Sequence, residues 1–406
     1  MGKLSISKRG QSAPVSPIRG LVAYAQEAKA RGIDIYHLNI GDPDFLLPKK
    51  IKETLLKVAD STNRIPYPEF RGNTKLLEGW KKYFSDIGIS FLQNEDMLVT
   101  AGASDAMVLI AATLLDPEDE YIVFEPFYPP YMVYGKFVGA NPVSVQLNKN
   151  YHLPSKEEIV AKITPKTKAI FFTNPNNPTG SVFTKDEIKI ILEIAIEHNL
   201  FVVSDETYRG MVFDGRENLS TLAVATDEEL KHIVVADSLS KRFNVCGARM
   251  GLVVSKNSEV IQSAFRFVQG RPFPAFLEQE IVAPMFGDSL NYINWLAKEY
   301  EKRRDTFIQT FEEETGIKVN QPEGAFYTML KLPIKDTMDF SKWLLTDFNL
   351  ENETVMVSPG FGFYLTAGKG MDEVRIAYVL NEEKLKKAAR LLAMAIKKYQ
   401  SIEGKI

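Results

Sequence analysis

Lys241 is the residue of this chain whose surroundings most strongly suggest chemistry. It lies in the segment Ser238-Leu239-Ser240-Lys241, soon after the apolar run 233–236, which is typical of a buried strand. Sites of α/β proteins form beyond the ends of such strands, where desolvation favours the uncharged amine that attacks a carbonyl carbon. Arg249, eight residues further on, is suited to hold an anion such as a phosphate. A lysine on a solvated turn would explain an isolated Ser-x-Ser-Lys as well, so the interpretation depends on other residues.

Two further candidate segments follow predicted strands earlier in the chain. Ala103 and Ser104 stand between strand 97–100 and a predicted helix, a geometry that directs free backbone N–H groups at an anion. Neither G-x-G-x-x-G nor Walker spacing is present, which argues against Rossmann and P-loop sites. Tyr128 follows strand 121–124 and could stack on a flat ligand, although packing is the commoner role of such an aromatic residue.

Polar residues also follow the next two predicted strands. Asn177 lies in an Asn- and Pro-rich loop, 174–180, which is rigid enough to orient a side-chain amide. Asp205 and Tyr208 could contact a heteroaromatic ring from two sides, while a helix N-cap is the alternative for Asp205. Arg375 lies in an otherwise apolar strand, where its charge requires a buried partner or an anionic ligand.

The elements that must position these residues indicate an α/β fold. Strands and helices alternate from residue 97 to 254, which predicts a mostly parallel central sheet flanked by helices. The 406 residues suggest more than one domain. We expect an N-terminal arm and part of a small domain over 1–47, a large domain over 48–288, and a C-terminal α+β small domain over 289–406. Residues up to about 17 are predicted to be an extended arm, followed by a helix from Pro17 to Arg31.

Composition excludes several classes of function. The formal net charge is −3, so no basic footprint for nucleic acid is evident. Cys246 is the only cysteine, which precludes an internal disulfide and fits a reducing compartment. No apolar run is long enough to span a bilayer, and the first residues lack the apolar core of a signal peptide. We therefore expect a soluble, cytoplasmic protein without a membrane partner.

Taken together, the segments resemble the class I/II aminotransferases, the fold-type-I enzymes that depend on pyridoxal 5′-phosphate, and are most similar to bacterial aspartate aminotransferases. The resemblance extends from Asn39-Ile40-Gly41-Asp42-Pro43-Asp44-Phe45 to Val374-Arg375-Ile376. Its most specific parts are Asn174-Pro175-Asn176-Asn177-Pro178-Thr179-Gly180, and the Ser-x-Ser-Lys segment with Gly247-Ala248-Arg249-Met250-Gly251 downstream. It implies a homodimer with shared active sites, a ping-pong transfer between an amino acid and a 2-oxo acid such as 2-oxoglutarate, and no metal.

The resemblance also implies roles for single residues. Lys241 would form the internal aldimine and act as general acid/base, with Asp205 paired to the pyridinium N–H. Tyr208 and Asn177 would hydrogen-bond the phenolic oxygen, and Tyr128 would stack on the ring. The phosphate would be held by the N–H groups of Ala103 and Ser104, the hydroxyls of Ser238 and Ser240, Arg249, and Tyr67 of a second subunit.

On the substrate side, Arg375 would bind the α-carboxylate, with Gly41 and Asn177 nearby. Ser104 replaces the lysine with which the similar aspartate aminotransferases bind a distal carboxylate, and Ala248 replaces a common tryptophan. Arg271 is our candidate for the missing cation, although it could instead cap the helical segment that follows. Glu206 and Arg242 are interpreted as structural.

Two other functions share parts of this pattern. A β-eliminating carbon–sulfur lyase would keep the same lysine, aspartate and arginine on the same fold. Aminotransferase-like transcription regulators carry an N-terminal DNA-binding domain, whereas only about 40 residues precede Gly41-Asp42-Pro43 here. We therefore expect an aminotransferase for an aspartate-like or broad range of L-amino acids.

Overall fold

The computed structural model describes residues 4–13, 20–271 and 274–403. Its strands are β1 (Asp34–His37), β2 (Met97–Thr100), β3 (Glu120–Glu125), β4 (Asn141–Gln146), β5 (Thr167–Thr173), β6 (Phe201–Asp205), β7 (Ile233–Ser238), β8 (Gly251–Val254), β9 (Tyr327–Lys331), β10 (Glu353–Met356), β11 (Ser358–Pro359) and β12 (Glu373–Ala377). Its helices are α1 (Lys8–Gln11), α2 (Val22–Ala30), α3 (Lys49–Ser61), α4 (Thr74–Asp86), α5 (Ala103–Leu114), α6 (Pro130–Val138), α7 (Lys156–Val160), α8 (Lys185–His198), α9 (Thr221–Val224), α10 (Leu239–Arg242), α11 (Ser258–Gln269), α12 (Phe276–Val282), α13 (Ser289–Thr315), α14 (Thr337–Thr346) and α15 (Glu382–Glu403).

A seven-stranded sheet with the order β2-β8-β7-β6-β5-β3-β4 carries the candidate residues. The five strands from β7 to β4 are parallel to one another, whereas β8 is antiparallel to both of its neighbours. The predicted mostly parallel sheet is therefore confirmed. Because β5, β6 and β7 are neighbours and run in one direction, the loops that follow them meet at one edge of the sheet.

The middle strands of this sheet are buried on both faces, which explains why β5, β6 and β7 are largely apolar. Ile170 and Val202 pack into one apolar cluster, whereas their chain neighbours Phe171 and Val203 pack into a second cluster on the opposite face. Successive side chains of a strand point to opposite faces, so a helical layer on each side accounts for both clusters. The helix bounds follow local signals: α8, for example, begins with a capping box of Thr184 and Glu187.

The remaining strands form two smaller sheets. β1 pairs in parallel with β10, and β12 lies between β11 and β9 in an antiparallel sheet. The long helix α13 packs against α15, and a third apolar cluster lies between these helices and the small sheets. Arg375 sits in the middle strand of the second small sheet, so its backbone is paired with a strand on each side.

The N-terminal predictions need correction. Residues 17–19 of the predicted helix lie outside the described residues, and α2 covers 22–30. The arm predicted as extended contains a single helical turn, α1, whose four residues are all exposed, and Ser7 caps it by accepting a hydrogen bond from the Gly10 N–H. β1 ends at His37, where its pairing with β10 also ends. Within the described residues, no helix is both long and apolar enough to cross a membrane.

Candidate active site

A cavity of about 160 Å³ opens at the carboxyl ends of β5, β6 and β7. Most of the residues that the sequence singled out line it, namely Ala103, Ser104, Tyr128, Asn177, Asp205, Tyr208, Ser238, Ser240, Lys241 and Arg249. They come from six separate segments of the chain, which the sheet brings to one edge. Met107, Tyr134, Thr173, Thr207 and Cys246 complete the lining.

Lys241 is presented by the short helix α10, directly after β7. Ser238 caps this helix, because its Oγ accepts a hydrogen bond of 3.1 Å from the Ser240 N–H. The Lys241 Nζ donates to the Gly41 carbonyl oxygen at 2.5 Å and lies 3.2 Å from the Cys246 Sγ. The amine is therefore held between the large sheet and the loop that follows β1, by a backbone oxygen rather than by a carboxylate.

Asp205 is the last residue of β6, and its side chain is 5% exposed. One carboxylate oxygen accepts from the Thr207 hydroxyl at 2.6 Å and from the Thr207 N–H at 3.1 Å. The other accepts from the Tyr131 hydroxyl at 3.1 Å. Burial raises the pKa of the Asp205 carboxyl, and these hydrogen bonds oppose that rise by favouring the charged form. The result is a fixed carboxylate that faces the cavity in apolar surroundings.

The opposite end of the cavity can hold an anion. Gly102 has φ +83°, and α5 begins immediately after it, so the N–H groups of Ala103 and Ser104 have no partner within the helix. A side chain at Gly102 would collide with the Arg249 guanidinium, which lies against the turn. That guanidinium donates to the Ala101 carbonyl oxygen at 3.2 Å and reaches the Ser240 Oγ at 3.5 Å. Helix N–H groups, a hydroxyl and a cation thus converge on one position.

A second cavity, of about 520 Å³, adjoins the first and contains Arg375. Lys241, Asn177, Tyr128 and Tyr208 line both cavities, and Gly41 lines the second. Arg375 is 5% exposed; its Nη1 donates to the Asn177 Oδ1 at 3.0 Å and its Nη2 donates to the Asn39 carbonyl oxygen at 2.7 Å.

No carboxylate pairs with this arginine among the described residues, and its Nε lacks a hydrogen-bond partner there. The guanidinium instead packs 4.5 Å from the Tyr327 ring centroid. A buried cation without a carboxylate partner is suited to an anionic ligand.

Two predicted site residues lie away from both cavities of this chain. Tyr67 is 88% exposed in the loop between α3 and α4. Arg271 pairs with Asp105, in the first turn of α5, and its side chain is 38% exposed. The neighbouring Pro272 and Phe273 lie outside the described residues. The roles assigned to Tyr67 and Arg271 therefore stay predictions.

Sequence reasoning missed three residues that contact the predicted ones. Tyr131 hydrogen-bonds Asp205 and also contacts the Thr173 hydroxyl. Thr207, two residues after Asp205, could have been found, because a side-chain carboxylate commonly accepts from the backbone two positions on. Tyr327 hydroxyl lies 3.1 Å from the Tyr208 hydroxyl, but it comes from β9, and no local pattern pairs residues so distant in the chain.

Comparison with known proteins agrees with the geometry of the site. A family model described as "Aminotransferase class I and II" matches residues 33–392. A probable aspartate/prephenate aminotransferase of Aquifex aeolicus is 30% identical over 402 residues, which cover 94% of this chain and 96% of the relative. An aspartate aminotransferase of Pyrococcus horikoshii is 32% identical over 374 residues, covering 89% and 91%. A single-mutant form of the Thermus thermophilus aspartate aminotransferase has a similar structure, with a TM-score of 0.87 at 28% identity, covering 97% of this chain and 100% of that one.

Proposed function

This chain belongs to the class I and II aminotransferases and is an enzyme, and on that basis we propose that it binds pyridoxal 5′-phosphate and transfers an amino group from an L-amino acid to a 2-oxo acid. We further propose a ping-pong order, in which amino donor and acceptor use the same site in turn, with 2-oxoglutarate as one acceptor. The donor range is aspartate-like or broad. One observation carries the proposal: Lys241 lies where the anion-holding cavity meets the cavity of Arg375.

The first cavity has the donors and acceptors that this cofactor needs. The turn at Gly102, the hydroxyls of Ser238 and Ser240, and Arg249 would hold its phosphate. Asp205 would accept a hydrogen bond from its ring nitrogen, while Tyr208 and Asn177 would contact the ring oxygen. Tyr128 lines both cavities and would stack on the ring. When bound, the cofactor supplies an electron-withdrawing ring that stabilises negative charge at the substrate α-carbon.

The side chains of this protein then supply orientation and proton transfer. Lys241 would move the α-proton, because its Nζ lies at the boundary of the two cavities. Asp205 would keep the proton on the ring nitrogen; a buried, hydrogen-bonded carboxylate does this without solvent competition. Arg375 would bind the substrate α-carboxylate with the N–H groups that Asn177 and Asn39 leave free, which fixes the α-carbon relative to the lysine.

We also propose a homodimer in which two residues act across the subunit interface. Tyr67 would donate to the phosphate of the second subunit, since its exposed side chain lies outside both cavities of its own chain. Arg271 would bind the distal carboxylate of a dicarboxylic substrate. Its ion pair with Asp105 offers a structural alternative, which kinetics can distinguish.

Borohydride reduction followed by peptide mapping tests the assignment of the lysine. We expect a pyridoxyl group on Lys241 and none after Lys241→Ala; a label on a different lysine would refute the site. The reaction class is tested by supplying an amino acid with 2-oxoglutarate and measuring glutamate. Formation of pyruvate and ammonia in place of glutamate would instead identify a β-eliminating carbon–sulfur lyase, which the same side chains could support.

A further inference from the structure

Four buried charged side chains form a connected network directly beneath the candidate site. The Arg209 Nη1 donates to the Glu206 Oε2 at 2.7 Å, and its Nη2 contacts the Asp237 carboxylate. From the other side, the Arg242 Nη2 donates to both Asp237 oxygens, at 2.7 Å and 3.0 Å. Each of the four is at most 1% exposed. Two carboxylates and two guanidiniums make the network neutral as a whole.

The network alternates along the chain with residues of the site. Glu206 follows Asp205 and Arg209 follows Tyr208, while Asp237 precedes Ser238 and Arg242 follows Lys241. Every member is thus one peptide bond away from a residue that lines the cavity. The network ties the end of β6, the end of β7 and the helix α10 to one another through side chains alone.

The surroundings fix the network in one arrangement. The Glu206 carboxylate also accepts from the Thr221 N–H at 2.9 Å and from the Ser220 hydroxyl at 3.1 Å. The Arg242 guanidinium lies 4.4 Å from the Tyr83 ring centroid of α4, and the Arg209 guanidinium lies 4.6 Å from that of Phe84. Buried ion pairs often contribute little net stability compared with apolar residues of the same volume, so stability alone is a weak reason for such a network.

We propose that Glu206, Arg209, Asp237 and Arg242 are positioning residues that hold α10 against the strand ends, and so fix Lys241 relative to Asp205. This inference rests on the proposed function. The arginines act in two ways. Their planar guanidiniums join Asp237 to two neighbouring elements, and their charges offset that of the Asp237 carboxylate, which lies one strand away from Asp205. The sequence-based interpretation of Glu206 and Arg242 as structural is the alternative.

Arg242→Met and Arg242→Lys test the proposal in the holoenzyme. The first removes the charge at similar volume, and the second keeps the charge but loses the planar guanidinium that packs on the Tyr83 ring. We expect Arg242→Met to retain one cofactor per subunit but to lose kcat about 10- to 100-fold, because small displacements of reacting groups are costly. The visible circular dichroism per bound cofactor should weaken in parallel, since it reports how rigidly the ring is held. Arg242→Lys should have a kcat and a visible circular dichroism between those of Arg242→Met and the wild type.

Arg304→Met is the matched control. Arg304 is also 1% exposed and pairs with Asp214 at 2.6 Å, but neither of its chain neighbours lines a cavity, whereas Lys241 precedes Arg242. We expect this variant to lose thermal stability with unchanged kcat and an unchanged visible dichroism band. If both Arg242 variants match the wild type in kcat and in that band, the network is structural and the proposal is wrong.

Should Arg242→Met fail to fold, the kcat and the dichroism band of Arg242→Lys are compared with those of the wild type, and equal values would again contradict the proposal. The wild type separates this inference from the proposed function. A wild-type protein without transamination, or without a label on Lys241, would contradict the function itself. If the wild type transaminates and is labelled on Lys241, but the Arg242 variants match it in kcat and in the dichroism band, only the positioning role of the network is contradicted.

Discussion

Arg375→Lys is the most informative single substitution for the substrate side of the site. The Arg375 guanidinium has five N–H donors; the hydrogen bonds to Asn177 and Asn39 use two of them, and a longer contact of 3.5 Å to the Ser358 Oγ involves a third. The remaining donors would bind both oxygens of a carboxylate. A lysine ammonium keeps the positive charge but has three donors at one point, so it cannot replace both protein contacts and the bidentate contact.

The expected magnitude follows from this loss of donors. One charge-assisted hydrogen bond contributes about 1.5–3 kcal/mol. Losing one of the two substrate bonds should therefore reduce kcat/KM for the preferred L-amino acid by about 10- to 150-fold, at about 1.4 kcal/mol per factor of ten. The carboxylic acid that corresponds to this substrate without its amino group should bind correspondingly more weakly as a competitive inhibitor. Its primary amide, which offers no carboxylate, should bind equally well to wild type and variant.

Steady-state kinetics and the two inhibition constants provide the measurement, with cofactor content recorded for each protein. Arg304→Lys is the control, because it makes the same change at a buried arginine outside both cavities. An inhibition constant for the carboxylic acid that does not change in Arg375→Lys would refute the assignment. An equal loss of binding affinity for the acid and the amide would show that the substitution distorts the site rather than removing a contact to the carboxylate.

Four further predictions follow from the same geometry. Asp205→Ala should keep its cofactor but slow α-proton removal by several orders of magnitude in stopped-flow absorbance; near-normal turnover would contradict the role of Asp205. Tyr67→Phe should weaken cofactor affinity by about 1–2 kcal/mol, measured by equilibrium titration of the apoenzyme, and a fully active monomer in light scattering would rule out the shared site. Arg271→Ala should cost aspartate and glutamate about 2–5 kcal/mol in transition-state binding, measured from kcat/KM, with little change for alanine and phenylalanine. A uniform loss across the four substrates would identify a structural role through Asp105. His152 donates to Glu187 and pairs with Glu323, and these contacts raise the pKa of His152 to about 10. The contribution of the charged His152 to stability should therefore be complete below about pH 6.5 and disappear as the pH rises through 10. His152→Gln should therefore lower Tm at pH 7 but much less at pH 10.5, and an equal reduction at both values would contradict the raised pKa.

The sequence predicted the large sheet and the residues at its edge because these depend on local patterns. Apolar runs of strand length locate β5, β6 and β7, and parallel strands place the residues after them together. Asp205, Ser238 and Lys241 could therefore be assigned to one site before any coordinates were known. The confirmed family resemblance extended this to the other predicted residues that line the first cavity.

Contacts between segments far apart in the chain could not be predicted in this way. Tyr327 reaches Tyr208 from β9, and the Gly41 carbonyl oxygen reaches Lys241 from the loop after β1, about 200 residues away. Such pairs depend on how the small sheets pack onto the large one, which is set by the summed burial of many side chains. No short pattern in either segment records it.

The buried charge network is a second feature that local sequence patterns do not reveal. Glu206 and Arg242 have no polar function that their own segments suggest, so sequence reasoning assigned them to structure. In the folded chain, Arg242 pairs directly with Asp237, and Glu206 is joined to Asp237 through Arg209. The apolar surroundings strengthen each of these charge interactions. In a strand, successive side chains point to opposite faces, and Asp237, unlike its neighbour Ser238, does not line the cavity. The buried layer beneath the site is therefore where the position of Lys241 relative to Asp205 can be set without occupying space that the ligands need.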